Sequence, residues 1–304
     1  MITYEKLAKN PRLFQTFTGL RLAAFAQILP SFSDCYEADL AERDEAREES
    51  RQRERGGGRI SAIPSMADKL VFILFYFRHY PMQSLQGFLF NLSQAQANDW
   101  IHRLAPILNE TLGVQHHLPA RTSTDIEKLL QACPELEFML DGTERRVRRP
   151  KNAEQQKRKY SGKKKVHTVK NNVITEKLTG KIKGLSPTVD GKVHDKKLAD
   201  EHDLRFPENS KLWQDTGFQG YAPSNVTIIQ PKKKPRGGEL TLEEKTNNTA
   251  ISKQRITVEH SIGGVKVFAI VGRVFRNLKP TFDDLVIETA CGLHNLRLDF
   301  PMMK

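Results

Sequence analysis

Three acids stand in settings that could do chemistry. Asp141 ends the apolar run Glu137-Phe138-Met139-Leu140-Asp141, and Gly142 follows it. Such a run reads as a buried strand, and an acid at its C-terminal tip is held rigidly at a sheet edge. Asp215 closes a second short strand, Leu212-Trp213-Gln214, before the turn Thr216-Gly217. Glu259 borders the apolar stripe Ile251, Val258, Ile262, Val265 and Ala269 of a long helix, where it can look into a sheet. Together these read as one oxygen-rich cage. Carboxylates are hard donors that suit Mg2+ or Mn2+, whereas zinc would call for His or Cys. Two such ions about 4 Å apart can activate a water or 3'-hydroxyl on one side of a phosphodiester and stabilise the leaving oxygen on the other. Without metal the acids would repel one another and raise a carboxylate pKa.

The charge balance points the same way. The 304 residues carry 48 Lys and Arg against 36 Asp and Glu, a formal net charge of +12. Clustered positive charge of that size implies a polyanionic partner, with nucleic acid first. Cys35, Cys133 and Cys291 lie far apart with no CxxC spacing, which argues against a zinc site or a disulfide framework and for a reducing compartment. No apolar stretch is long enough to span a bilayer, so a cytoplasmic, nucleoid-associated protein is expected.

The elements that must position these groups follow from the pattern. Residues 1–60 read as an N-terminal helical region serving for docking or dimerisation, with Pro11 breaking its early part and a solvated mixed-charge helix from Asp39 to Arg55 that Gly56-Gly57-Gly58 ends. Residues 61–124 read as a helix-turn-helix. Asp68 caps an apolar helix to His79, a short helix covers Leu85 to Phe90, and Ser93 caps a third with Ala97, Trp100, Ile101 and Leu104 inward. Gln94, Gln96, Asn98 and Arg103 then face out, where Gln and Asn suit adenine edges and Arg suits guanine or phosphate.

Residues 125–304 read as the catalytic domain. A capping box, Thr124-x-x-Glu127, opens its first helix. After Asp141 comes a strongly basic, apolar-poor stretch in which Arg145, Arg146, Lys163, Lys164, Lys165 and His167 should border a phosphate. Lys165–Asn171, Val173–Leu178 and Lys181–Val189 read as three antiparallel strands. His194 to Arg205 reads as a helix, and Arg255 and Lys266 share roughly the face of Glu259. His194 and His260 read as a surface and a packing residue, His294-Asn295 as a helix anchor, and Trp100 and Trp213 as core.

Six phrases in order, LDGTERRVRRP, YSGKKKVHTVKN, VDGKVHDKKL, DTGFQGY, VEHSIGGVK and ACGLHNLR, resemble the DDE transposases of bacterial insertion sequences, in the insertion-sequence-five group related to Harbinger-type elements. The likeness runs from about residue 66 to 298. It implies an α/β fold, an RNase H-like mixed five-stranded sheet with flanking helices, preceded by an all-α helix-turn-helix region. It puts the family's acids on Asp141, Asp215 and Glu259, with two Mg2+ or Mn2+ ions per site. It further implies an enzyme that binds the terminal inverted repeats of its element as double-stranded DNA, cleaves 3' ends and joins them to target DNA, acting as a homodimer or higher oligomer. A nuclease without strand transfer and a domesticated DNA-binding protein are the alternatives.

Overall fold

The computed structural model describes residues 1–46 and 61–301, so the Gly56-Gly58 stop expected above lies outside the described residues. The chain divides into two compact units.

The first unit holds residues 1–118 with two short later segments, 267–270 and 299–304. Its helices are α1 (Tyr4–Ala8), α2 (Pro11–Thr18), α3 (Leu22–Glu45), α4 (Met66–His79), α5 (Gln83–Phe90) and α6 (Gln94–Val114). Pro11 does not break a helix. It occupies the first turn of α2 behind the Asn10 cap, where its missing N–H leaves nothing unsatisfied. Gly19 ends α2 at φ 78°, and a Cβ there would fall 2.8 Å from the Phe268 ring. Residues 69–77 of α4 are all buried, so this helix is the unit's axis. Its cap is Ser65, whose Oγ accepts from the Asp68 amide, while Asp68 itself accepts from the Tyr4 amide at 2.7 Å. Helices α2 and α3 pack on α4, and α3 also on α6, so residues 1–46 share one core with the segment expected to stand apart from them. Phe14, Phe25, Ile28 and Phe32 are fully buried in that core, so these apolar positions of the region read as a docking or dimerisation layer pack within the unit.

The second unit holds 119–266 and 271–298. In chain order it comprises α7 (Ser123–Gln131), β1 (Glu137–Arg146), α8 (Ala153–Lys159), β2 (Tyr160–Ser161), β3 (Val166–Glu176), β4 (Ile182–Leu185), β5 (Val189–Asp190), α9 (Asp195–His202), β6 (Ser210–Gln214), β7 (Val226–Ile229), α10 (Leu242–Lys266), a short α11 (Ala269–Gly272) at the unit boundary and α12 (Phe282–Asp299). Helix α7 is capped by Thr122 with Asp125, not by Thr124 with Glu127.

The sheet runs β2-β3-β1-β6-β7, with β4 and β5 also pairing β3. β1 lies antiparallel to β3 and parallel to β6, and β6 is parallel to β7. This is the RNase H-like mixed sheet with flanking helices. Two expectations are corrected here. The strands read as Lys165–Asn171 and Val173–Leu178 are one continuous β3, because Asn171 and Asn172 are buried rungs and not a break. Asn171 Nδ2 donates to the Ser186 carbonyl and Asn172 Nδ2 to that of Asp195, both at 2.9 Å. β1 likewise does not stop at Asp141 but continues to Arg146 against β3. Helix α12 is pinned to β4 by Asn295, which accepts from the Ile182 amide and donates to its carbonyl, each at 2.8 Å. His294 Nε2 lies 3.2 Å from the Gly180 carbonyl, so the His-Asn pair is the anchor its position suggested.

Candidate active site

The parallel ladder of β1 and β6 ends with Leu140 opposite Gln214. Asp141 and Asp215 are the next residues on each strand, so two chain-distant carboxylates arrive side by side where β6 leaves the sheet. β1 carries on there paired with β3 but no longer with β6, which opens an edge. Asp215 begins a 3-10 turn, Thr216–Phe218, and its Oδ1 accepts from the Gly217 amide. The Gln230 side chain donates to the Asp215 carbonyl and fixes the turn from β7's end.

A third acid, not singled out from the sequence, comes to the same place. Asp195 is the first residue of α9, and a Cβ on Gly142 would fall 3.0 Å from its Cγ. One on Gly217 would lie 3.7 Å from its Oδ2. Strand alternation puts Gly142 on the pleat opposite Asp141, so Asp195 approaches from the other face of β1. Lys170 Nζ holds Asp195 Oδ1 at 3.1 Å. On the Asp141 side, Arg255 of α10 puts Nη2 3.6 Å from Asp141 Oδ1. Burial is the main cause that raises Asp141 to about 6; Arg255 opposes it, while Asp215 and Asp195 add to it. The rise agrees with the expectation for crowded acids, but desolvation outweighs their mutual repulsion.

Glu259 is exposed on α10, one turn beyond Arg255, and is not among the groups acting on Asp141. Among the described residues no three His, Cys, Asp or Glu side chains stand where one metal ion could take them all. In kind the donors fit a hard divalent cation, since the acids at the edge offer carboxylate oxygens only. In arrangement Asp141 and Asp215 are together, and two cations, Arg255 and Lys170, provide the countercharge.

The basic residues divide into two groups. Arg146, Lys163, Lys164 and Lys165 are exposed and His167 is half-buried. Desolvation, then the like charge of Lys164, lowers Lys266, while Asp141 pulls it up, which ties both lysines to the acid edge. Arg145 is a correction. It is only 2% exposed and donates to the Asp283 carbonyl at 2.9 Å, Asn171 Oδ1 at 2.9 Å and Thr188 Oγ1 at 3.1 Å. Because β1 continues, Arg145 falls on the same pleat as Asp141 and Thr143 and is driven into the core under α12.

In the first unit α5 and α6 meet through the tight turn at Asn91 (φ 57°) and Ser93. Gln94 donates to Gln83, which donates to Asn98, each at 2.7 Å, so these amides form a string. Gln96 completes the capping box with Ser93 and is partly committed to it. Arg103 turns inward instead of outward, pairing with Asp39 at 2.8 Å and lying 4.5 Å over the Tyr36 ring. His260, read as a packing residue, is exposed.

A sheet that delivers two aspartates to an opened edge beside lysines and arginines, with a helix-turn-helix in the other unit, defines a nucleic-acid-cutting enzyme of the RNase H-like class. The chain belongs to the DDE superfamily endonucleases, whose family model matches residues 140–295. A second model, the helix-turn-helix of DDE superfamily endonuclease, matches residues 63–113. The chain is also similar to the probable transposase for insertion sequence element IS702 of Microchaete diplosiphon, at 28% identity over 263 residues, covering 86% of this chain and 89% of the relative. No solved structure matches it. No helix among the described residues is long and apolar enough to cross a membrane.

Proposed function

We propose that the chain is the transposase of a bacterial insertion sequence, which holds the element's terminal repeats through α5 and α6 and cuts and joins 3' ends at the edge formed by Asp141 and Asp215. The observation that carries this is the shared end of the β1–β6 ladder, which presents both aspartates beside an exposed basic rim. The family membership and the similarity to a probable transposase support it.

Asp141, Asp215 and Glu259 would hold Mg2+ or Mn2+, two ions by the family's pattern, supplying Lewis-acid activation of the attacking and leaving oxygens. Glu259 stands one helical turn from Arg255 on a shared side of α10 and would join Asp141 once Arg255 gives way. Arg146, Lys163, Lys164, Lys165, His167 and Lys266 would neutralise backbone phosphates and orient the strand across the edge. Gln94, Gln96 and Asn98 would meet the duplex at the start of α6. Handling two ends together calls for a homodimer or larger assembly on DNA, in the cytoplasm with the nucleoid.

The test is incubation of the full chain with element-end duplex and Mg2+, with Asp141→Ala alongside. Joined products that vanish in the variant support the transposase. Cuts without joining reduce the reading to a nuclease, and cleavage undiminished in the variant removes Asp141 from the chemistry.

A further inference from the structure

A cavity of about 1020 Å3 opens beside the acid edge, lined by Asp195 and Gly217 and also by Tyr160 and His167. Its chemistry is one-sided. Five Lys and Arg side chains line it against one carboxylate, Asp195, which Lys170 already holds. Lys157, Lys163 and Lys192 are exposed lining residues with no carboxylate paired to them among the described residues. Such a wall attracts phosphates.

The cavity also carries an aromatic surface. Tyr160 is 43% exposed and is fixed in the β2–β3 hairpin, paired with His167, whose ring sits edge-on to it at 5.7 Å. A ring held by backbone pairing and left open on one side is a platform for a flat partner. Shape then selects among nucleic acids. An unpaired base offers the flat face that such a platform takes, whereas a duplex presents only base edges in its grooves. A positive groove with an aromatic step is how single strands are held without regard to sequence.

We propose that this cavity seats the unpaired DNA strand adjoining the phosphodiester to be cut, with a base stacked on Tyr160 and its phosphates on Lys157, Lys163 and Lys192. The proposal rests on the reading of the Asp141–Asp215 edge as the place of cutting, since the cavity ends against Asp195 and the Asp215 turn. It assigns the hairpin a role that the carboxylates do not have: keeping the strand parted beside the scissile bond.

The full chain, without added metal, is titrated with a fluorescent 12-nucleotide thymine strand carrying one 2-aminopurine and, separately, with a duplex of equal length. Tyr160→Leu weakens single-strand binding about five- to a hundredfold and abolishes the stacking change of the 2-aminopurine. Tyr160→Phe keeps both, and duplex binding holds within about twofold in each variant by the same reasoning. The Lys157→Ala, Lys192→Ala pair flattens the single-strand salt slope by about 1.4, near 0.7 for each phosphate lost. Tyr160→Leu binding the single strand like wild type, losing duplex and single strand alike, or thymidine monophosphate competing as well as the strand overturns the proposal. Asp141-dependent cleavage is scored separately, so loss of the cavity assignment leaves the endonuclease reading standing.

Discussion

Asp141 and Asp215 each directly follow the last rung of one parallel ladder, Leu140 opposite Gln214. The geometry of two neighbouring strands, not a loop, therefore fixes the spacing of the two acids. It also places Asp141 in a poorly solvated position, where burial raises it to about 6 from an ordinary value of 3.8. A raised carboxylate binds its proton more tightly folded than unfolded, so its contribution falls as pH climbs from about 4 to about 6 and stays low above that. The penalty at neutral pH is at most about 3 kcal/mol, and the loss of the Arg255 contact offsets part of any relief. Asp141→Asn should thus raise the neutral-pH Tm by a few degrees while abolishing cleavage. Melts at pH 7.5 and 4.5 check this: the gain shrinks at the lower pH, and an unchanged or lower Tm at pH 7.5 counts against a strained acid.

His294 gives the opposite slope. Burial lowers it to about 4, with Gly180 accepting at its ring and Arg297 adding to the fall. The folded state refuses a proton that the unfolded state takes near 6.5, so stability is complete at neutral pH and is lost as pH falls through 6.5 towards 4. The loss amounts to about 3 kcal/mol. Asp141 gains stability over nearly the same window, so the wild type changes little there. Asp141→Asn should become the more acid-labile protein, and His294→Asn the less so, in urea unfolding between pH 4.5 and 7. Parallel pH curves for the two variants would refute this pairing.

Gly142 carries the approach of Asp195. A methyl group there would stand 3.0 Å from Asp195 Cγ and 3.1 Å from its Oδ1, too close without moving the carboxylate. Gly142→Ala should cost about 1 to 2 kcal/mol through overpacking and reduce cleavage well beyond what that loss explains. Cleavage rates taken well below the variant's Tm separate the two effects. A variant with full activity would mean that Asp195 can move without consequence.

Much of this was legible in the residues. The apolar run before Asp141, the short strand before Asp215, the Ser93 cap and the paired role of His294 and Asn295 each have a local signal, and the structure keeps them. Several of the misses share one physical cause, polar side chains buried by partners far away in sequence. Asn171-Asn172 looks like a break until Ser186 and Asp195 satisfy the amides. Arg103 looks solvent-facing on its helix until Asp39 and Tyr36 draw it in. Asp195 heads a charged helix of ordinary composition, and the one clue to its place was the glycine next to Asp141, which a carboxylate can approach from the far side. Glu259 was legible as a helix-border acid, but the ion pair of Arg255 with Asp141 one turn before it has no sign in the sequence.

Arg145 and Arg146 are adjacent in sequence and opposite in role. Arg146 is exposed, whereas Arg145 is buried with three acceptors around its guanidinium, and burial lowers it to about 10. Replacing Arg145 with Met removes its three hydrogen bonds, to Asn171, Thr188 and the Asp283 carbonyl, and should cost about 3 to 5 kcal/mol, as truncating one partner of a buried charged network does. The salt slope of DNA binding, measured on folded protein, should not change. Arg146→Met should behave in reverse, with stability within about 0.5 kcal/mol of wild type and a duplex salt slope shallower by about 0.9 for one lost phosphate contact. Urea unfolding and salt titrations on the same two variants decide it. An Arg145 variant of normal stability and weakened DNA binding would return that residue to the phosphate rim where its place in a basic run first put it.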